Sequence, residues 1–244
     1  MSIGPLDETA AGPTCPMLSR SGSNMRVLVI GSSGGIGAAL LHHALALGRD
    51  CVGLSRSGDG LDVTDEGSVA AHLGALDGTF DTVLVATGAL QIGDRRPEKS
   101  LRALDPAAMA AQYALNAVGP ALVLKHAVRL LPRDRPAVFA ALSARVGSIG
   151  DNRAGGWYSY RASKAALNQI IRTGAVELAR THRQLACVAL HPGTVATPLT
   201  ARYLGRHPAV APDKAAEHLW SVIDARTPSD TGRFFDWAGK AVPW

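Results

Sequence analysis

The sequence predicts an α/β protein in which one doubly wound parallel sheet carries helices on both faces. Three observations carry that prediction. Short apolar, β-branched runs alternate with longer segments whose apolar residues recur at helical spacing, the signature of parallel strands joined by right-handed crossovers. The first such run leads directly into a glycine cluster and then a helix. Finally Gly31, Arg56, Gly88, Ser143 and Pro192 fall where the runs end, and sheets of this kind gather ligands at the carboxyl ends of their strands.

Composition narrows the class. The 244 residues are 47 % hydrophobic and 18 % charged, enough for one domain with a sizeable core and inconsistent with global disorder. The net charge of +5 comes from scattered arginines with no dense basic run, which argues against a nucleic-acid partner. No apolar stretch approaches the roughly 18 residues of a membrane span. Cys15, Cys51 and Cys187 have neither paired nor metal-like spacing; Cys51 and Cys187 read as small strand residues in a reduced, cytoplasmic setting. His42, His43, His126 and His182 lie on helical faces without a ligand set, so no metal is expected. Residues 1–24, rich in Gly, Pro and Ser without a continuous apolar core, read as a disordered N-terminal extension or as the result of a start at Met25, not as a secretory signal. Residues 25–244 are expected to form one domain.

Taken in order, residues 25–30 form a buried-type strand that stops at Gly31-Ser-Ser-Gly-Gly-Ile-Gly37, and a helical pattern follows through Leu40, Leu41 and Leu45. Strand, glycine loop, helix is the context of a phosphate site. Gly31 permits the turn, Gly35 lets backbone approach a pyrophosphate, Gly37 permits close helix packing, and Ser33 and Ile36 lie on the same loop at the helix N-terminus. The next strand, 51–55, ends at Ser55 and Arg56. An acid there would bond a ribose 2′-hydroxyl, whereas Arg accommodates a 2′-phosphate, so NADP(H) is favoured over NAD(H). Residues 61–65 read as a short extended piece whose Asp62 and Val63 face the adenine, with Thr64 capping a helix from about Glu66.

Residues 81–86 are the next strand, broken at Gly88; a long helix over 106–131 follows, with Asn116 inside it and Pro120 four residues on. The missing N–H of Pro120 frees the Asn116 carbonyl, a place for an ordered water. Strand 137–142 ends at Ser143, and a glycine-rich loop, 147–156, leads to Tyr160 and Lys164. These two are four apart on a helix, hence neighbours on one face, and a cation beside a phenol favours the phenolate. Tyr-x-x-x-Lys is thus a proton-transfer device. Strand 185–190 runs into His191-Pro-Gly-Thr-Val-Ala-Thr197, a helix is expected over 215–223, and 232–237 closes the sheet.

With the glycine loop, Tyr-x-x-x-Lys and Pro-Gly-x-x-x-Thr in order, the chain from about residue 25 to 244 resembles a short-chain dehydrogenase/reductase. The Ser143-Ala-Arg-Val-Gly-Ser-Ile stretch, the Gly-Gly-Trp-Tyr-Ser-Tyr approach and the closing Phe-Phe-Asp-Trp-Ala-Gly are similar to the C-factor-like, sniffer-type carbonyl reductase branch. The resemblance implies a Rossmann-type single domain and hydride transfer between a nicotinamide and a carbonyl or alcohol. Tyr160 would be the acid/base, Lys164 would lower its pKa and bind the ribose, Ser143 would orient the substrate, and Asn116 would hold a water in a relay to Lys164. Pro192, Gly193, Val195 and Thr197 would bracket the nicotinamide, and Gly88 would adjoin the cofactor. It further implies homodimers or homotetramers through the long helices.

Three positions depart from the family pattern. Asn-Asn-Ala-Gly is here Val85-Ala-Thr-Gly88, Ile30 precedes the glycine loop, and Ser143 is followed by Ala144 where a second serine is common, leaving Ser148 as an alternative. Residues 196–212, with Leu199, Tyr203 and Leu204, would be a short substrate lid. The competing readings are a nucleotide-binding sensor of the same fold and a catalytically silent interaction subunit.

Overall fold

A run such as Val27-Leu-Val-Ile30 offers apolar side chains in both directions, and is stable only where both faces of a sheet are covered. The computed structural model, which describes residues 25–201 and 209–244, builds six parallel strands: β1 (Arg26–Ile30), β2 (Asp50–Leu54), β3 (Thr82–Val85), β4 (Ala137–Leu142), β5 (Leu185–His191) and β6 (Phe234–Asp236), in the order β2-β1-β3-β4-β5-β6. The chain runs outward from β1 to β2 and then crosses back to β3 on the other side. The order reverses at β1, and a crevice opens above its carboxyl end.

The helices are α1 (Gly35–Ala46), α2 (Arg56–Asp59), α3 (Glu66–Gly74), α4 (Pro106–Tyr113), α5 (Gly119–Ala127), α6 (Tyr158–Leu178) and α7 (Pro212–Asp224). Strand side chains alternate between two cores, as a period of two requires. Leu28, Ile30, Val83, Val85, Phe139 and Cys187 pack with Val69 of α3, Val123 of α5 and Leu167 and Ile171 of α6. Val27, Val29, Leu84, Val138 and Val188 pack with Leu40 of α1 and with Leu219 and Trp220 of α7. The doubly wound sheet covered on both faces is therefore present.

Several local expectations are corrected. Residues 61–65 join no strand; they turn, with Thr64 N–H and hydroxyl both donating to Asp62 Oδ1. Asp65, not Thr64, caps α3 by accepting from Gly67 N–H. The helix expected over 106–131 is composite: α4, a π-helical turn over Ala114–Val118, α5, and a last 3-10 turn over Val128–Leu130. By length and composition this rod is apolar enough to cross a membrane, which the sequence reading denied to every segment. Here it forms a wall of the core through Val123, Leu124, Ala127 and Leu130. The N-terminal extension (1–24) and the lid residues Tyr203 and Leu204 lie outside the described residues.

Candidate active site

The glycine loop works by what its residues lack. Gly31 sits at φ +88°, with its N–H donating to Leu54 O at 2.7 Å, and a Cβ on Gly37 would stand 2.1 Å from Gly31 O. A side chain at either place would push α1 off β1. The N-cap of α1 is Gly34, in extended conformation without a side-chain cap, so the leading N–H groups of the helix face a cavity of about 400 Å³ whose wall includes Ser33, Gly34, Gly35 and Ile36. Unclaimed N–H groups and the positive end of a helix dipole suit a phosphate.

The same cavity is lined by Gly88, Ser143, Tyr160, Lys164, Pro192, Gly193, Val195 and Thr197. It therefore unites, from four strand-end segments and helix α6, most of the residues picked out in the sequence. Lys164 Nζ donates to Leu142 O at 2.8 Å and lies 6.0 Å from the Tyr160 ring centroid. Lys164 is 2 % exposed, and burial pushes its ammonium down to about 8. The Tyr160 ring keeps some open surface on the cavity, but the protein packed around its hydroxyl pushes the phenol up to about 12. The sequence reading gave the lysine charge the upper hand over the phenol; in the protein alone, burial outweighs it.

Ser143 extends the ladder past β4, its N–H donating to Leu190 O at 2.7 Å, while its hydroxyl donates to Asn168 Oδ1 at 2.6 Å. Both side chains are buried, and Ala144, half-buried, follows in the cavity wall. Ser148 is elsewhere: its hydroxyl reaches Trp244 O and accepts from Asp151 N–H, fastening a loop to the C-terminus. Asn116 sits fully buried in the π-helical turn. Its Oδ1 accepts from Ala89 N–H at 2.9 Å, and its Nδ2 is within bonding distance of Ala89 O (2.9 Å), Gln112 Oε1 (2.5 Å) and Ser163 Oγ (3.2 Å). Gly88 is the reason Asn116 and Lys164 approach each other. A Cβ there would lie 2.9 Å from Asn116 Oδ1 and 3.2 Å from Lys164 Nζ.

At the end of β5, His191 lines the cavity, its Nδ1 buried and without a hydrogen-bond partner among the described residues. Burial, then Arg145, against the pull of Asp236, brings its imidazole down to about 4. Thr197 closes on the glycine loop: a Cβ on Gly35 would be 2.7 Å from Thr197 Cγ2. At the opposite end, Ser55 caps α2 by accepting from Gly58 N–H, its own N–H donates to Asp59 Oδ2 at 2.7 Å, and Arg56 is exposed. The Thr64 bonds hold the Asp62 carboxyl below its ordinary range. Ser55, Arg56, Asp62, Val63 and Asn116 do not line the cavity itself.

The sequence reading missed Asn168 and Thr87, which lines the cavity and whose buried hydroxyl has no hydrogen-bond partner among the described residues. Asn168 carried a usable signal: Tyr160, Lys164 and Asn168 follow one another at helical spacing on one face of α6.

A family model described as enoyl-(acyl carrier protein) reductase matches residues 54–231. A 1-hydroxy-2-glutathionyl-2-methyl-3-butene dehydrogenase from Rhodococcus is 33 % identical over 89 % of this chain and 99 % of its own length. The chain belongs to the short-chain dehydrogenase/reductase family. As a member it is an oxidoreductase acting on alcohol or carbonyl groups. It is also 35 % identical to the C-signal protein of Myxococcus xanthus, over 58 % of this chain and 81 % of that one. Among solved structures, a family member from Burkholderia multivorans with bound NADP is 25 % identical, with a TM-score of 0.73 over 91 % of this chain and 100 % of that chain. The Drosophila melanogaster carbonyl reductase Sniffer, 20 % identical with a TM-score of 0.77 over 91 % of this chain and 99 % of its own, shares the fold.

Proposed function

We propose that the protein is an NADP(H)-dependent oxidoreductase acting on a carbonyl/alcohol pair, with Tyr160 as the acid/base. The observation that carries this reading is that Tyr160, Lys164 and the uncapped N-terminus of α1 line one cavity. A nicotinamide cofactor supplies the hydride chemistry when bound; the protein supplies position and charge. Tyr160 gives the substrate oxygen a proton in reduction and takes it back in oxidation. Lys164, anchored on Leu142 O, holds the ribose and offsets the charge that forms on the phenol. Asn116 fixes the Gly88–Ala89 backbone against α6 and completes a relay to Lys164. Ser143 orients the substrate oxygen from the end of β4. With its proton given to Asn168, its oxygen accepts from the hydroxyl of an alcohol substrate, and to donate to a carbonyl oxygen it must turn that proton away from Asn168. Exposed Arg56 at the start of α2 favours the 2′-phosphate of NADP. Free Cys51 and Cys187 suit a cytoplasmic setting. Exposed Tyr113 on α4 and Val176 on α6 support a homodimer or homotetramer through the outer helices, which light scattering tests.

The decisive experiment mixes the protein with NADPH and a panel of aldehydes, ketones and quinones. The reverse assay uses NADP with alcohols, a glutathione-conjugated alcohol among them because the Rhodococcus relative's name describes one. No turnover on any of these, or a Tyr160→Phe variant as active as wild type, rejects the proposal. One observation favours a second reading, a nucleotide-binding signalling protein: the Ser143 hydroxyl is committed to Asn168 and Ala144 follows it. Tight NADP(H) binding with no turnover, and a partner retained in only one redox state, selects that reading.

A further inference from the structure

The turn that carries Tyr160 begins on a residue in a conformation that non-glycine residues rarely adopt. Trp157 stands at the N-cap of α6 at φ 53°, without a side-chain cap, a backbone region that non-glycine residues enter only when their surroundings over-determine it. Glu98, in the loop beyond β3, is one part of those surroundings. Its backbone oxygen accepts from Trp157 N–H at 2.6 Å, and its carboxylate accepts from Ser159 N–H at 3.2 Å and from the Ser159 hydroxyl. Glu98 is 7 % exposed and Ser159 5 %. Among the described residues no Lys, Arg or His forms an ion pair with Glu98, so these donors and the positive end of α6 are what balance a nearly buried carboxylate.

The contact matters for where the phenol stands. From Lys164 onward α6 is fixed by the core: Lys164 is tied to Leu142 O, Asn168 to Ser143, and Leu167 and Ile171 are fully buried. Tyr160 precedes all of these. Its ring meets the Trp157 ring edge-on, with centroids 6.3 Å apart, and shares the wall of a cavity of about 20 Å³ with Glu98, Gln112 and Ser159. Arg161 ties the incoming loop through Gly155 O, Gly156 O and Val146 O, which restrains the carbonyls of that loop, while Glu98 takes the N–H groups of Trp157 and Ser159.

We propose that Glu98 is a positioning residue for the reaction: it anchors the first turn of α6 through Trp157 and Ser159 and so sets the place of the Tyr160 hydroxyl. This rests on the reading of Tyr160 as the acid/base. A displacement on the order of 1 Å at a reacting group costs about 10²-fold in rate. Glu98→Ala is therefore expected to lower kcat by roughly 10- to 100-fold while NADPH affinity, measured by fluorescence, moves less than about threefold, because Lys164 and the glycine loop keep their own anchors. Amide exchange should quicken in a peptide spanning 157–163 and not in the peptides of β1 and β4. Glu98→Gln, which retains an acceptor oxygen for Ser159 N–H, should restore kcat to within about threefold of wild type.

Unchanged exchange at 157–163 in Glu98→Ala overturns the proposal, as does a kcat within twofold of wild type. Exchange that quickens throughout the chain in both variants, with no recovery in Glu98→Gln, also overturns it by making the contact a general stability element. A wild type inactive on every substrate tested instead rejects the oxidoreductase reading. The exchange pattern then decides by itself whether Glu98 anchors the turn.

Discussion

At the β1–β2 end of the cleft the groups offered to a ligand are backbone N–H groups at an uncapped helix, beside glycines and the exposed Arg56. At the β4–β5 end they are buried side chains whose polar groups are already bonded: Lys164 to the backbone oxygen of Leu142, Ser143 to the Asn168 side chain, and Asn116 to the backbone N–H of Ala89. The first end leaves space and backbone N–H groups free, an arrangement that suits a charged ligand. The second fixes polar groups in low dielectric, where each partner matters more and each loss leaves an orphan.

That contrast can be broken most severely at the chemical end. Tyr160→Phe is expected to lower turnover by roughly 10²–10⁴-fold, the range of a lost general acid, with NADPH affinity within about threefold in a fluorescence titration. Equal losses of binding and turnover would mean that the phenol serves the cofactor site instead. At the backbone end, Gly37→Ala forces a Cβ to within 2.1 Å of Gly31 O. Overpacking of this kind costs about 1–3 kcal/mol. At about 2–4 °C per kcal/mol for a domain of this size, thermal unfolding should show a clear drop and NADPH-induced stabilisation should weaken with it.

Arg56→Ala should weaken NADPH about tenfold, or 1.4 kcal/mol, and leave NADH unchanged. A thermal-shift series with NADP, NADPH, NAD and NADH reads this, since a ligand at a hundredfold its Kd adds about 2.7 kcal/mol. Equal losses for both cofactors would show that the arginine serves the general fold of that end. Ser143→Ala leaves Asn168 Oδ1 without its donor and should cost about 1–3 kcal/mol of stability, with a smaller fall in turnover than Tyr160→Phe.

The smallest effect concerns His191. Its folded-state pKa, about 4, lies below the ordinary 6.5 because burial and Arg145 disfavour the cation. Between those values the unfolded chain binds a proton that the folded chain refuses, so stability falls as pH drops from 6.5 toward 4 and is fully present above 6.5. His191→Gln should flatten that part of a Tm-against-pH curve; an unchanged slope would assign the acid limb to other groups.

Much of the backbone end was legible in the sequence. A glycine loop between a strand and a helix has one geometric solution, and Gly31, Gly35 and Gly37 occupy it. Tyr160 and Lys164 were equally legible because four residues of helix fix their relation. Asn168 followed from the same period and was passed over. The capping of α3 by Asp65, not Thr64, turned on a choice between adjacent side chains that both suit an N-cap. The break in the 106–130 rod escaped because a π-helical turn keeps the apolar pattern of an α-helix nearly intact.

The sequence by itself determined the order of strands and helices, the helix-spaced pair Tyr160 and Lys164, and the glycine loop, because each is written in local spacing. Only the tertiary structure decided that Ser143 gives its proton to Asn168 and Ser148 to the C-terminus, that burial prevails over the lysine charge at the Tyr160 phenol, and that Glu98 reaches the start of α6 from a separate loop. Those outcomes depend on which surfaces exclude water together and which distant groups then meet, and neither is encoded in the spacing of neighbours along the chain.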